Sequence, residues 1–483
     1  MKNMKKSNKN NGVDMPEIFF VGSDELQDRF DPFFYRPVFK KLLEVIANNK
    51  TAKITLKEAI TNSVAGDWGE DPMDFEPNPD YVLCYVVRNT NFHNDFNLDF
   101  SDVAQRYIKK SKAEKLALKK GDILIEKSGG SPVQPVGRVA LVDDLPFDKP
   151  VVFSNFLQKM EVNKELFLPE YIFVYLQALY KAGYMDFIQN QTTGIKNLRL
   201  DDFFKILIIK PSIAEQKKVA LKAIESREEA KGLLEKAKTI LASIDKFVLG
   251  ELGIEIERER ERERERVSEP AQIWQIWSDA IEKRIDPMYF HPLRMKAIEA
   301  IKKSSAQVSP LSEIVKFRRE LVSDIPENAP YVGLENVVSN SGEYIETNAK
   351  ESISSAFVFK KGDVLFPKLR PYLNKVFYAD FDGICSTEFH VFEAEKCDPY
   401  FLFSFLTRSV VVEQTSRLMT GNTLPRLQTE DIENLLIPIP NDTTQGKIVA
   451  GVKTIYNKAR NLRQEAESVV IEAQKQTAEM IFA

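Results

Sequence analysis

The residues best placed by type to bind something sit in loops, and each loop has a counterpart elsewhere in the chain. Lys360 to Lys375 carries five lysines and arginines, with Asp363 the sole acid. Within it Lys368, Arg370, Tyr372, Asn374 and Lys375 follow the run Gly362-Asp363-Val364-Leu365. The corresponding stretch of the first half runs from Glu126 through Lys127, Ser128, Gly129-Gly130 and Gln134 to Arg138. Two adjacent glycines let a backbone approach a phosphate closely. Arg370, Gln134 and Asn374 are side-chain types that bridge base edges in a major groove. A second loop recurs as well, with Thr192, Thr193, Gly194, Lys196 and Asn197 in one half and Thr420, Gly421, Asn422, Thr423 and Arg426 in the other. For either loop alone a solvated turn is the simpler explanation. Their recurrence at matched places sets DNA contact level with that explanation.

Signs of catalysis are missing from the sequence. The three histidines, His93, His291 and His390, stand outside metal-ligand spacing of one another and of any cysteine. No Gly-x-x-x-x-Gly-Lys-Ser/Thr phosphate loop, Gly-x-Gly-x-x-Gly fingerprint or Gly-x-Ser-x-Gly elbow occurs. Asp31-Pro32-Phe33-Phe34 lacks the second proline of an amino-methyltransferase motif, and Pro79-Asp80 lacks the Glu-x-Lys of a nuclease core. The residues therefore point to a non-catalytic chain without a cofactor of its own.

The elements that must position these loops are also written twice. Asp31-Pro32 answers Asp286-Pro287, Gly121-Asp122 answers Gly362-Asp363, and Pro211 with Gln216 answers Pro440 with Gln445. Thr193-Gly194 with Arg199-Leu200 is matched to Thr420-Gly421 with Arg426-Leu427. The period far exceeds the about 20–50 residues of a solenoid unit, so a whole domain is duplicated. Each copy opens with a helical pattern, Val38 to Ala47 and Leu293 to Lys302. Short β-branched and aromatic runs follow: Tyr81 to Arg88, Gly121 to Glu126, Val136 to Val142, Tyr331 to Val338, Gly362 to Pro367 and Gly383 to Phe392. Helical stretches at Pro169 to Gln189 and Asp398 to Met419 make each copy an α+β (mixed α/β) domain.

Each copy then runs into a long helix. Val219, Ala223, Ser226, Ala230, Leu233, Ala237, Ile240 and Ile244 alternate steps of four and three. Ile448, Val452, Ile455, Ala459, Leu462, Ala466, Val469 and Ala473 repeat that spacing at one constant offset. Sustained spacing of this kind is a coiled-coil seam. The two helices are expected to pair antiparallel, about 40 Å long at ~1.5 Å per residue, under an overall pseudo-two-fold. The expected layout is a disordered basic tail over 1–17, duplicated α+β domains at 18–211 and 273–441, long helices at 212–250 and 442–483, and a linker over 251–272. Glu257 to Arg266 is a strict Glu-Arg alternation, read as a solvated linker.

With a net charge of −4, any nucleic-acid binding must come from local basic patches rather than an overall cationic surface. Cys84, Cys385 and Cys397 form no Cys-x-x-Cys and cannot all pair, which suits a reducing cytoplasm. Met1 to Gly12 lacks an apolar signal region, and no run reaches the roughly 18 apolar residues of a membrane span.

The second half carries the clearest likeness. Lys361 to Phe366, Lys368 to Lys375, Ser386-Thr387-Glu388-Phe389, Met419 to Leu427 and Ile437 to Pro440 stand in order before Gln445 and a long helix. The chain resembles the DNA-specificity subunit of type I restriction–modification systems over nearly its whole length. The first half departs from that pattern, with Ser154-Asn155-Phe156 in place of Ser-Thr-Glu-Phe, a Gly/Ser-rich loop in place of Arg-Pro-Tyr, and a shorter segment after Leu200. The resemblance implies a bipartite double-stranded DNA target, one half-site per domain. It also implies two methyltransferase subunits, which bring S-adenosylmethionine, and restriction subunits that can join. Rival readings are a recognition subunit of another multi-subunit DNA-modification or phage-defence system, a degenerate methyltransferase or nuclease, and a helical protein scaffold.

Overall fold

The structure is a computed structural model and describes residues 9–10, 13–14, 20–22, 35–76, 78–93, 95–129, 134–192, 195–255, 286–323, 325, 329–346, 354–420 and 424–483. Most of the opening repeat around Asp31-Pro32, the Glu-Arg alternation, Gly130, Thr193-Gly194, Asn422 and Thr423 lie outside the described residues. The chain divides into two compact units, Met1–Gly232 with Glu465–Ala483, and Leu233–Gln464. Each unit therefore contains part of both long helices.

In the first unit the central sheet has four antiparallel strands in the order Ile60–Ala65, Leu157–Val162, Ile123–Glu126, Val139–Leu141. In the second the order is Val315–Arg318, Phe389–Ala394, Val364–Pro367, Phe377–Tyr378, again antiparallel. Register makes the equivalence residue by residue, since Leu157 opposes Glu126 as Phe389 opposes Pro367. A smaller sheet repeats a parallel pair, Val151–Phe153 beside Tyr81–Val87 and Gly383–Cys385 beside Tyr331–Val332. There the copies diverge. The first adds Ala104–Lys109 next to Tyr81–Val87, whereas the second adds Ala356–Phe359 next to Gly383–Cys385.

Short range explains several departures from the expected elements. Gly383 to Phe392 is two strands, because Phe389 N–H turns back to the Ser386 carbonyl at 3.0 Å. Tyr331 to Val338 is strand only to Val332, where the Asn336 side chain caps the Gly333 N–H at 2.8 Å and bends the chain. Gly121 and Gly362 hold φ of 92° and 95°, a left-handed turn that favours glycine. Beside each glycine an aspartate closes the turn: the Asp122 carboxylate accepts the Lys119 N–H at 2.9 Å, and Asp363 accepts the Lys360 N–H at 2.8 Å.

The long helices span Ile213–Glu251 and Asp442–Phe482. Ser212 and Glu215 cap the first reciprocally, and Asn441 accepts the Thr444 N–H at the start of the second. Of the expected seams, Val219, Ala230, Leu233, Ala237, Ile244, Ile448, Val452, Ala459, Ala466 and Ala473 are buried, whereas Ala223, Ile240, Ile455, Leu462 and Val469 are half-buried. Within the second unit the end of the first helix meets the start of the second. Lys447 pairs with Glu251 at 2.8 Å, and a Cβ on Gly451 would collide with the Phe247 ring. Within the first unit Val219 shares a core with Ile481, and Phe482 packs on Tyr175 at 5.4 Å. The recurring glutamines fasten each helix to its own domain. The Gln216 side chain accepts the Leu168 N–H at 3.0 Å and donates to the Pro211 carbonyl at 3.1 Å. Gln445 accepts from Asp398 N–H at 2.8 Å and donates to the Pro440 carbonyl at 2.9 Å.

Candidate nucleic-acid interface

In both copies the candidate residues gather where the central sheet meets the second loop. Lys127 N–H donates to the Phe156 carbonyl at 2.9 Å and Leu198 N–H to the Lys127 carbonyl at 2.8 Å. In the second copy Lys368 N–H reaches the Glu388 carbonyl at 2.8 Å and Leu427 N–H the Lys368 carbonyl at 3.0 Å. Strand Ser128–Gly129 pairs with Ile195–Leu198, so Asn197 opposes Ser128 as Arg426 opposes Leu369. This corrects the sequence match. Arg426-Leu427 corresponds to Asn197-Leu198, and Arg199-Leu200 lies two residues further on.

Several candidates turn out to be internal anchors. Arg138 is buried, donating from Nε and Nη2 to the Glu126 carboxylate at 3.0 and 3.1 Å and from Nη1 to the Phe92 carbonyl at 2.8 Å. Its Nη2 also reaches the Asn89 carbonyl at 3.3 Å. Lys375 sits at the equivalent place, with Nζ donating to the Leu334 carbonyl at 2.8 Å. Asn374 is 4% exposed and donates to the Thr407 carbonyl at 2.8 Å and to Asn340 at 3.1 Å. Lys196 is buried too, with Nζ near the Gln134 carbonyl at 3.4 Å. Arg138, Asn374 and Lys196 are thus buried, and Lys375 is half-buried.

Others stay near the surface. Tyr372 is 44% exposed on the short turn Pro371–Leu373, which Arg370 and Asn374 flank with φ of 48° and 50°. Arg370 N–H donates to the Pro425 carbonyl at 2.9 Å, tying the two loops together. Lys368 Nζ donates to the Thr387 carbonyl at 2.7 Å, and burial holds its ammonium below the ordinary lysine range. Burial lowers Lys127 in the same sense. Ser128 Oγ donates to Asn197 Oδ1 at 2.8 Å. Arg426 grips Glu388 through Nε at 2.9 Å and Nη2 at 2.6 Å, and that hydrogen bonding keeps the Glu388 carboxyl below its usual range.

Three neighbours were not singled out from the sequence. Arg319 lies just past strand Val315–Arg318, with 64% of its side chain exposed and Glu433 at 3.4 Å. His390 is buried on the next strand, and burial, then Lys368 and Arg319, push its pKa down to about 4, so it is neutral at pH 7. Asn89 in the first copy spans Glu126 Oε1 at 2.9 Å and the Ser128 carbonyl at 2.5 Å. Glu388 stands in the Ser-Thr-Glu-Phe run, and strand register places Phe156 at its position in the first copy. Among the described residues no group of three His, Cys, Asp or Glu could hold a metal ion.

A duplicated α+β domain, each copy leading from a cation-bearing sheet edge into a capped long helix, defines a tandem-domain binding protein. The profile of the family described as Type I restriction modification DNA specificity domain matches residues 71–226 and 306–472, and the chain belongs to this family. It is 27% identical over 126 residues to the type I restriction enzyme EcoDI specificity subunit of Escherichia coli, a match covering 26% of this chain and 28% of that protein. The HsdS subunit of Thermoanaerobacter tengcongensis aligns over 90% of this chain and 96% of its own at 13% identity and a TM-score of 0.32. The type I restriction–modification S subunit of M. genitalium aligns over 90% of this chain and 97% of its own at 15% identity and a TM-score of 0.37.

Proposed function

We propose that this chain is the DNA-specificity subunit of a type I restriction–modification complex, with each copy of the domain reading one half of a bipartite site. The family match on both halves is the observation that carries this reading. The long helices serve as the ruler between half-sites and as the docking surface for two methyltransferase subunits, which supply S-adenosylmethionine and the chemistry. Restriction subunits join the same assembly. The chain itself performs no catalysis and works in the cytoplasm. In support, among the described residues no helix is long and apolar enough to cross a membrane.

The surface residues Tyr372, Arg370, Lys368 and Arg426 of the second copy, and Ser128, Asn197 and Lys127 of the first, are the DNA-facing set in this proposal. Arg138, Lys375, Asn374 and Lys196 support it from behind. Asn422 and Thr423 remain candidates by sequence position. Partner subunits supply much of the remaining phosphate neutralisation, which accommodates the net charge of −4. The test is selection of the full chain, with its methyltransferase partners, on a pool of random duplexes. Enrichment of two short blocks at fixed separation is the expected outcome. Enrichment of nothing, or S-adenosylmethionine binding by the isolated chain, would overturn the proposal.

A further inference from the structure

The two copies place different chemistry at equivalent positions of one sheet edge. Strand register fixes the equivalences. Gln158 opposes Ala65 in the first copy. In the second, Arg318 opposes Val391, which brings Arg319 level with His390. Lys368 hydrogen-bonds to the Glu388 backbone as Lys127 does to that of Phe156. Arg426 opposes Leu369 as Asn197 opposes Ser128. Reading across neighbouring strands, the second copy therefore presents Arg319, Lys368 and Arg426, whereas the first presents Ala65, Lys127 and Asn197.

Two charges of the second edge, Arg319 and Arg426, are exposed and already held in place, while Lys368 is half-buried. Arg319 leans on Glu433 at 3.4 Å and Arg426 on Glu388 at 2.6 Å, with 64% and 44% of their side chains exposed. Exposed ion pairs of this kind are weak, so a phosphate or a guanine edge can take over either guanidinium at little cost. At the first edge the counterpart of Glu388 is Phe156, an apolar ring 42% exposed, beside an Asn197 bonded to Ser128 at 2.8 Å. Asparagine matches the adenine N6/N7 edge and an apolar ring matches a thymine methyl, whereas arginine matches guanine O6/N7.

We propose that the copies read DNA in different modes. The second grips by charge, through Arg319 with Lys368 and Arg426, over a guanine-containing half-site. The first reads an A·T-rich half-site through Asn197 and Phe156. This rests on the DNA-binding reading above and adds Arg319, and the division of labour, to it.

The test uses the full chain with its methyltransferase partners, the duplex enriched from a random pool, and titration from 50 to 200 mM salt. Each phosphate contact contributes a slope of about −0.9 in log K against log salt. Arg319→Ala should make the slope shallower by about 1, and Ala65→Arg should steepen it by about 1. Asn197→Ala should leave the slope in place while relaxing base preference in the A·T-rich block only. Arg426→Ala should relax the other block. If Arg319→Ala melts below wild type, Arg319→Lys, which keeps the charge, must retain the wild-type slope. Wild-type slopes in both Arg319→Ala and Ala65→Arg overturn the inference, as does an Asn197→Ala effect confined to the guanine-containing block. A wild-type chain that enriches no duplex would instead sink the DNA-binding reading itself, so the two failures are distinguishable.

Discussion

Replacing Arg138 by methionine should destabilise the first unit strongly, although a basic residue in a Gly/Pro-rich loop looks dispensable. The guanidinium makes contacts to both Glu126 carboxylate oxygens, the Phe92 carbonyl and the Asn89 carbonyl, and only 11% of its side chain is exposed. Glu126 is more buried still, at 2%, and among the described residues would keep Asn89 Nδ2 at 2.9 Å as its side-chain donor. Removing one partner of a buried pair costs about 3–5 kcal/mol, because the remaining charge is stranded. For a unit of this size that lowers the unfolding temperature on the order of 10 °C. Replacing both partners, Arg138→Met with Glu126→Leu, should recover most of the loss, since an apolar pair strands no charge and Asn89 keeps the Ser128 carbonyl. Thermal unfolding of the four proteins in this double-mutant cycle gives the answer. An Arg138→Met protein that melts like wild type but binds DNA weakly would refute the reasoning and return Arg138 to the DNA face.

Gln216→Leu and Gln445→Leu each remove hydrogen bonds from a partly solvated N–H and a half-buried proline carbonyl, which costs about 1–2 kcal/mol and should appear as lowered melting of the unit concerned. Val452→Asp puts a charge into the fully buried contact of the two helices in the second unit, destabilising it by about 3–5 kcal/mol. Loss of helical circular dichroism at lower temperature than wild type checks it, and a wild-type melt would contradict it. The Glu388 carboxyl, held below 4.5 by Arg426, contributes stability that is present above its unfolded pKa and is lost as pH falls through the lower folded value. Arg426→Ala should return Glu388 toward 4.5 in a carboxylate NMR titration and flatten acid destabilisation below about pH 4.5.

The duplication, the α+β character and the long helices were legible because they are local or periodic. A seam of fours and threes survives any tertiary arrangement, and a Gly-Asp turn closes on its own neighbours. The roles of individual loop cations were not legible. Arg138 and Lys375 were anchored by carbonyls 46 and 41 residues away, which no local pattern announces. Asn374 was buried for the same reason, through a carbonyl 33 residues on. Arg199-Leu200 repeats the Arg-Leu pair of the second copy two residues beyond its structural counterpart. Hydrogen bonds from Leu198 and Leu427 set the true register, and place an asparagine where the second copy has its arginine. Arg319 went unnoticed because it lies outside both loops, at the end of a strand that only the sheet order brings beside them.

Mapping methylated bases across the genome of a host carrying the complex, with this chain intact and then deleted, tests duplicated reading most directly. The expected result is one motif of two specified blocks, separated by a fixed number of unspecified bases, that vanishes on deletion. A contiguous motif, or a pattern unchanged without the chain, would contradict the account.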